Sequence, residues 1–213
     1  MLVIKVVVVT AALRLDLHLL ELIFAISKII KSFVKSKRVQ LKMNTLAKDL
    51  LVDPKNGKVI GVKAISSSSS STDDGDNIYS DNVIIATGGF ANDRTNTSML
   101  EKYRPDLVQF ATTNGKFATG DGHKMAMRAG GNTVDMENVQ VHPTAFIDLK
   151  FPNASRKTLC AELLRGVGGL LINNNGKRFV DELGTRKYIT EEMVRQKKET
   201  NNELLYFNIL YEV

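Results

Sequence analysis

The chain has 213 residues, 43% of them hydrophobic, and its 29 Lys or Arg against 23 Asp or Glu give a net charge of +6 at neutral pH. This hydrophobic content is typical of a globular protein made of one large domain or two small ones. The single cysteine excludes an internal disulfide, and the three histidines show no ligand spacing, so we expect no metal site.

The positive charge is concentrated near the N-terminus, where residues 1–50 hold nine Lys or Arg against three Asp or Glu. Such a segment could contact nucleic acid or an acidic membrane surface. However, Lys28, Lys31 and Lys35 recur at helical spacing, which is typical of the solvated side of a helix. No aromatic stacking platform accompanies these lysines, and we therefore expect no nucleic-acid partner.

The first 17 residues contain an apolar run, residues 6–9, of the kind that forms the first strand of a dinucleotide-binding fold. In that fold the sequence GxGxxG follows the strand, because its glycines let a pyrophosphate approach the next helix. Here the first glycine of the chain is Gly57. The run is too short to span a membrane and Lys5 interrupts it, so we expect no span. A targeting role stays open, and residues 1–17 are an extension of uncertain role.

Residues 17–86 predict one helix followed by several strands. Apolar residues at positions 17, 20, 24 and 30 predict a helix over 17–34 with one buried face. A tight reversal at residues 53–57 and a low-complexity tip at 66–76 separate the strands that follow. The predicted strands are residues 39–43, 49–52, 59–64, 78–79 and 83–86. This order matches the middle of a Rossmann-type domain with an inserted β-meander.

Three glycine-containing turns suggest where such a domain would bind a ligand. The strand at 83–86 ends in Ala86-Thr87-Gly88-Gly89, which leaves backbone without large side chains at the carboxyl edge of the sheet. Residues 112–115, Thr-Thr-Asn-Gly, and Gly120-Asp121-Gly122 follow, the latter opening a helix over 123–129 whose first N–H groups suit an anionic or polar ligand. For Asp121 the alternative is a plain helix cap.

The last third of the chain predicts a cluster of charged side chains. Glu162 and Arg165 are three residues apart and so lie on one side of a helical turn. Residues 170–172 read as a strand, 174–177 as a hairpin turn and 178–180 as the partner strand, with Arg186 just beyond. Two arginines and one glutamate are thereby brought together. The alternative is a surface salt bridge without function.

The words AELLRG and NNNGKRFVDE, followed by Arg186, resemble the capping-domain signature of the fumarate reductase and succinate dehydrogenase flavoproteins, most closely the soluble fumarate reductases. The segments RVQLKMNT, LLVDPKNGKVIGV, DNVIIATGGF and DMENVQVHPT resemble the same family at matching places. The resemblance implies an α/β (α+β) fold. Residues 18–137 would be a partial FAD-binding Rossmann-type domain with a β-meander, and 138–213 part of an α+β capping domain.

The resemblance also implies FAD as cofactor and an oxidoreductase that interconverts fumarate and succinate. His142 and Glu162 would bind the substrate, and Arg186 would give it a proton through a relay from Glu162 and Arg165. An arginine can act as an acid only if neighbouring cations and burial disfavour its charge. Arg178 would be structural. The residues implied to contact FAD are Ala47, Ala86, Thr87, Gly88, Gly89, Thr113, Asn114, Gly120 and Asp121.

Two departures from the family pattern keep alternatives open. Ala161 stands where many relatives carry a Thr that helps to hold a substrate carboxylate, which bears on substrate choice. The GxGxxG loop and the later capping-domain segments are absent, so we expect an incomplete chain that binds FAD weakly and does not turn over. The alternatives are a related FAD enzyme acting on another enoate, an amino acid or a ketosteroid, and a non-catalytic fragment acting as a binding or interaction module.

The electron donor and the compartment stay open. NADH, quinol, a haem domain and reduced flavin all serve as donors in the family that the chain resembles. A cytoplasmic and a mitochondrial or other organellar location are both compatible with the sequence.

Overall fold

The computed structural model describes residues 17–36, 40–66, 75–200 and 208–210. The chain divides into two compact units. The first contains Met1–Leu100 and Gly115–Asp135, and the second contains Glu101–Asn114 and Met136–Val213. The domain limits given above, 1–17, 18–137 and 138–213, stay predictions. The apolar run at 6–9 and most of the low-complexity tip at 66–76 lie outside the described residues.

The first unit is built on a three-stranded antiparallel meander. Its helices and strands begin with α1 (Leu17–Lys35), β1 (Thr45–Val52), β2 (Val59–Ser66) and β3 (Asp76–Tyr79). Strand β2 lies between the other two, and Val62 is paired with Leu50 on one side and with Ile78 on the other. Val62 and Ala64 are buried, as expected for the apolar residues of a central strand. The predicted helix and meander are therefore confirmed.

The remaining helices of this part of the chain are short. They are α2 (Met99–Tyr103), a 3-10 turn at Pro105–Leu107, and α3 (Asp121–Arg128). Helix α3 confirms the predicted helix near 123–129, and it follows Gly120, whose φ of 72° lies in the left-handed region that favours glycine. Met125 on α3 contributes to the buried set of the first unit, together with Phe90, Met99, Leu100 and Ala118.

Two predicted strands of the first unit are wrong. Residues 40–43 and 81–90 have no strand structure, and Val39 lies outside the described residues. An extended apolar segment becomes a strand only when a neighbouring backbone satisfies its N–H and C=O groups. Ile84 and Ile85 remain exposed rather than packed. The predicted buried face of α1 is not found at Phe24, which is 71% exposed, because none of the described residues covers that side chain.

From residue 136 onward, the described part of the second unit combines short strands with two helices. These are β4 (Ala145–Phe146), β5 (Thr158–Leu159), α4 (Leu163–Gly166), β6 (Leu170–Ile172), α5 (Arg186–Thr200) and β7 (Asn208–Leu210). Strands β4 and β5 pair antiparallel, as do β6 and β7. A hydrophobic core of Leu171, Val180 and Ile189, flanked by Phe179 and Met193, joins β6 to α5. None of the described helices is long and apolar enough to cross a membrane.

The hairpin turn of the second unit forms, but its predicted partner strand is wrong. The backbone N–H of Asn173 donates to the Lys177 carbonyl at 2.9 Å, and Gly176 has a φ of 71°. Beyond this turn only one bridge, between Ile172 and Arg178, remains of the predicted strand at 178–180. Strand β6 pairs with β7 instead, while Val180 turns into the core.

Candidate active site

Glu162 accepts hydrogen bonds from two arginines at once. Arg165 Nη2 lies 2.9 Å from Glu162 Oε1, whereas Arg186 Nε and Nη2 lie 3.0 and 2.5 Å from Oε2. Glu162 precedes α4 and Arg165 lies within it, so one helical turn places both on the same side. Arg186 is the first residue of α5. The structure therefore brings together the three residues that the sequence predicts as a cluster.

The two arginines differ strongly in their surroundings. Arg165 is only 3% exposed, and its Nη1 donates to the backbone carbonyl of Glu182 at 2.6 Å. Its Nε is buried and has no hydrogen-bond partner among the described residues. The side chain of Arg186 is 40% exposed. Because a buried cation is costly without a counter-ion, Glu162 stabilises Arg165 while leaving Arg186 accessible to a ligand.

The contact between Glu162 and Arg186 favours the charged form of both side chains. The hydrogen bond from Arg186 lowers the pKa of Glu162, with the charges of both arginines adding to the effect. The same hydrogen bond raises the pKa of Arg186. This direction is opposite to the one that we expected for an arginine acting as an acid. Arg186 Nη1 also donates to Gln140 Oε1 at 2.7 Å, a contact that the sequence did not predict because an exposed glutamine carries no recognisable signal.

His142 lies within electrostatic reach of this cluster. Its Nδ1 is 2.9 Å from the carbonyl oxygen of Thr144. Burial lowers the pKa of His142; the Thr144 hydrogen bond opposes that shift, and the charges of Arg186, Glu162 and Arg165 also act on the ring. The second unit therefore holds all four of the residues predicted to bind or protonate a substrate.

Glu182, which was not predicted, contacts the cluster through its backbone carbonyl, which accepts from Arg165. It is 3% exposed, its Oε1 accepts the backbone N–H of Leu171 at 2.8 Å, and its Oε2 accepts Arg178 Nη2 at 2.8 Å. Arg178 thus makes the structural contact that we expected. The signal for Glu182 was its position four residues after Arg178, a spacing at which opposite charges meet on a helix or turn.

Two of the residues predicted to contact FAD, Gly88 and Gly89, present bare backbone beside α3. Gly88 and Gly89 are exposed, and a Cβ at either position would meet nothing within 4 Å. The backbone N–H of Gly120 donates to the Gly89 carbonyl at 3.1 Å, which holds this turn against the start of α3. Thr87 Oγ1 is buried without a hydrogen-bond partner among the described residues. An open glycine edge beside an unsatisfied hydroxyl fits a polar ligand such as the cofactor.

The other predicted FAD residues lie at separate places in the chain. Ala47 is half-buried in β1, next to an irregularity in the pairing with β2. Asp121 is exposed and accepts the Thr119 hydroxyl at 3.0 Å. The alternative role of Asp121 as a helix cap is wrong, because Gly120 is the N-cap and no side chain caps the helix. Thr113 and Asn114 belong to the second unit, where the Asn114 N–H donates to Thr112 Oγ1 at 3.1 Å.

Comparison with known proteins supports a flavoprotein. A sequence profile of the FAD binding domain family matches residues 19–209. The fumarate reductase of Schizosaccharomyces pombe is 46% identical over 160 residues, which are 75% of this chain and 30% of that protein. Fumarate reductase 1 of Saccharomyces cerevisiae is 34% identical over 186 residues, which are 87% of this chain and 38% of that protein. A solved quinol-fumarate reductase with menaquinol superimposes with a TM-score of 0.64 and 26% identity, over 84% of this chain and 30% of that one.

The mixed helix and strand content and the glycine-edged turns agree with an FAD-binding domain. The chain belongs to the FAD binding domain family, among the flavoproteins of the fumarate reductase and succinate dehydrogenase type. The predicted family, fold class and cofactor are confirmed. The chain spans 30% and 38% of the length of the two yeast relatives.

Proposed function

We propose that this chain carries the substrate-binding and protonating residues of an FAD-dependent enzyme that interconverts fumarate and succinate. The observation that carries the proposal is the contact of one carboxylate, Glu162, with two guanidinium groups, of which Arg165 is buried and Arg186 is partly exposed. The names of the two yeast relatives, both fumarate reductases, support the same substrate class.

The substrate would be a small dicarboxylate bound by cationic and hydrogen-bonding side chains. Arg186 is accessible and positively charged, which suits one carboxylate. His142 lies on the same unit and is the second candidate contact. Ala161, directly before Glu162, offers no hydroxyl for this purpose. Substrate polarisation would therefore depend on Arg186, Glu162 and His142.

The residues that would hold FAD are those that the family resemblance implies. When bound, FAD supplies the hydride that reduces the alkene. The protein groups are Ala47, Ala86, Thr87, Gly88, Gly89, Thr113, Asn114, Gly120 and Asp121. The electron donor that recharges the flavin belongs to one of four classes: NADH, quinol, a haem domain or reduced flavin.

Arg186 would deliver the proton to the substrate carbon. Its raised pKa keeps it charged throughout the physiological pH range, so a proton is always present. The acceptor is a carbanion-like carbon next to a carboxylate, which is a stronger base than a neutral guanidine. Proton transfer is therefore favourable even though Arg186 is a weak acid toward water.

Glu162 would restore the proton to Arg186. Its Oε2 faces Arg186 and its Oε1 faces Arg165, so one oxygen can accept a proton while the other gives one up. Arg165 is fixed by two acceptors, Glu162 and the Glu182 carbonyl, and so keeps Glu162 in position. In this proposal Arg186 and Glu162 are the catalytic groups, and Arg165 completes the relay.

The proposal is tested by comparing Arg186→Gln with Arg195→Gln. Both arginines lie on α5 and pair with a glutamate, but Arg195 pairs with Glu192, outside the cluster. In calorimetric titrations with saturating FAD, we expect Arg186→Gln to weaken succinate binding about tenfold to a hundredfold, as loss of a hydrogen bond to a charged group does, and Arg195→Gln to leave it unchanged. Equal succinate affinity of Arg186→Gln and the parent chain would overturn the proposal.

The same assay with other unsaturated acids, an amino acid and a ketosteroid distinguishes the proposed enzyme from a related FAD enzyme that acts on another substrate. Tighter binding of one of these than of succinate would favour that alternative. A folded chain that binds no FAD would instead support the binding or interaction module.

A further inference from the structure

The hydrogen bond of His142 determines which of its ring nitrogens carries the proton. Its partner, the Thr144 carbonyl oxygen at 2.9 Å, can only accept. Nδ1 must therefore be the protonated nitrogen. A neutral imidazole has a single N–H, so Nε2 of neutral His142 is a bare lone pair. Such a nitrogen repels a carboxylate oxygen instead of donating to it.

The backbone holds this tautomer in place. Thr144 is buried, its Oγ1 donates to the Cys160 carbonyl at 3.1 Å, and its own carbonyl also accepts the Cys160 N–H at 3.3 Å. These contacts run between the chain segments of β4 and β5, which pair just beyond them. The acceptor that faces Nδ1 is thus part of a paired backbone and cannot rotate away as a side-chain acceptor could.

Burial, more than the surrounding charges, favours the neutral form of the free His142 ring. Burial lowers its pKa below the ordinary 6.5, the Thr144 hydrogen bond opposes this, Arg186 and Arg165 lower it further, and Glu162 raises it. A carboxylate placed at Nε2 adds a negative charge at hydrogen-bond distance. That charge favours the imidazolium form, which has a donor on both nitrogens.

We propose that a substrate carboxylate binds His142 only together with a proton, which Nε2 takes up from solvent when the complex forms. The inference rests on the proposed function, in which His142 contacts a dicarboxylate. One N–H bond forms on Nε2, and the resulting cation pairs with the bound carboxylate. The Thr144 carbonyl is the positioning group, because it leaves Nε2 as the only site for the added proton. Substrate affinity then falls as pH rises, about tenfold for each pH unit above the pKa of free His142.

The first test examines the ligand-free chain by nitrogen-15 NMR of the histidine rings. The sequence has three histidines, and His142→Gln identifies the signals of His142 by their loss. We expect a protonated Nδ1 and a bare Nε2 at about pH 8. A ring protonated on Nε2 in the free chain would overturn the inference, whatever the enzyme's substrate.

The second test measures proton uptake on binding. Succinate is titrated into the full chain, saturated with FAD, by calorimetry in two buffers of different ionisation enthalpy at about pH 8. We expect an uptake approaching one proton per succinate for the parent chain and for the control His123→Gln, since His123 lies in the first unit against Phe90. In His142→Gln the amide donates without gaining a proton, so the uptake should disappear.

The two proposals fail in different ways. Succinate binding without proton uptake would overturn this inference and leave the proposed substrate class intact. Absence of succinate binding between about pH 5 and pH 8 would overturn the proposed function, and this inference with it.

Discussion

At the scale of single residues, the carboxylate of Glu162 decides the charge of the whole cluster. It is the counter-ion of a buried arginine and of an accessible one. The spacing of Glu162 and Arg165 was readable from the sequence, because residues three apart share a helical face. The approach of Arg186, 21 residues after Arg165, was predicted from a helical turn, a hairpin and a loop in series, and the family resemblance supported it. The raised pKa of Arg186 was not predictable, because it depends on how closely the guanidinium approaches the Glu162 carboxylate.

Replacing Glu162 with Gln should destabilise the fold in a pH-dependent way. The pKa of Glu162 lies below its ordinary 4.5 in the folded chain, chiefly because Arg186 donates to it. A lowered folded-state pKa gives stability that is present above 4.5 and is lost as pH falls through the folded-state value. We therefore expect the melting temperature of Glu162→Gln to lie below that of the parent at neutral pH and to converge with it in acid.

The matched control for this change is Glu192→Gln. Glu192 also accepts from an arginine three residues away, but that arginine, Arg195, is half exposed, whereas Arg165 is buried. Thermal melts across the acid range should show the larger loss for Glu162→Gln. Equal losses for both variants at neutral pH would contradict the counter-ion role of Glu162.

At the scale of secondary structure, local signals were more reliable than pairing signals. The turn predicted at 174–177 formed because an Asn-Gly sequence favours the left-handed conformation by itself. The strand predicted at 178–180 did not form, because Val180 packs into the core and the Leu171 N–H donates to the Glu182 side chain, which leaves the single bridge between Ile172 and Arg178. The strand predicted at 83–86 did not form either, since pairing depends on a partner that the segment itself does not specify.

Glu182 links strand β6 to the active-site cluster, and its removal should cost stability. In Glu182→Ala the buried N–H of Leu171 loses its acceptor, which we expect to cost about 1–3 kcal/mol in free energy of unfolding. Glu182→Gln is the matched control, because its amide oxygen still accepts that N–H while the ion pair with Arg178 is lost. Chemical denaturation should therefore rank parent, Gln and Ala in decreasing stability. An Ala variant no less stable than the Gln variant would show that the Leu171 contact contributes nothing.

At the scale of the whole molecule, the fold class followed from the sequence. Periodicity and turns predicted an α/β chain with a meander, and the structure has both. The segment 101–114 is grouped with the second unit although residues on both sides of it belong to the first. Composition and periodicity describe each segment in chain order, so they carry no information about which unit a segment such as 101–114 packs in. As a result, Thr113 and Asn114 lie on a different unit from the other predicted FAD contacts.

FAD binding should protect the turns that are predicted to contact the cofactor. If the predicted residues contact FAD, it will slow amide hydrogen exchange at 86–89 and 120–122, and each turn, like the segment 112–114, is tested separately. At a free FAD concentration of about one hundred times the dissociation constant, binding stabilises the folded chain by about 2.7 kcal/mol, so protection should rise by up to about a hundredfold. The turn at 173–177 has no predicted contact and is the internal control. Exchange at 86–89 and 120–122 that FAD slows no more than exchange at 173–177 would contradict the predicted contacts of Ala86, Thr87, Gly88, Gly89, Gly120 and Asp121.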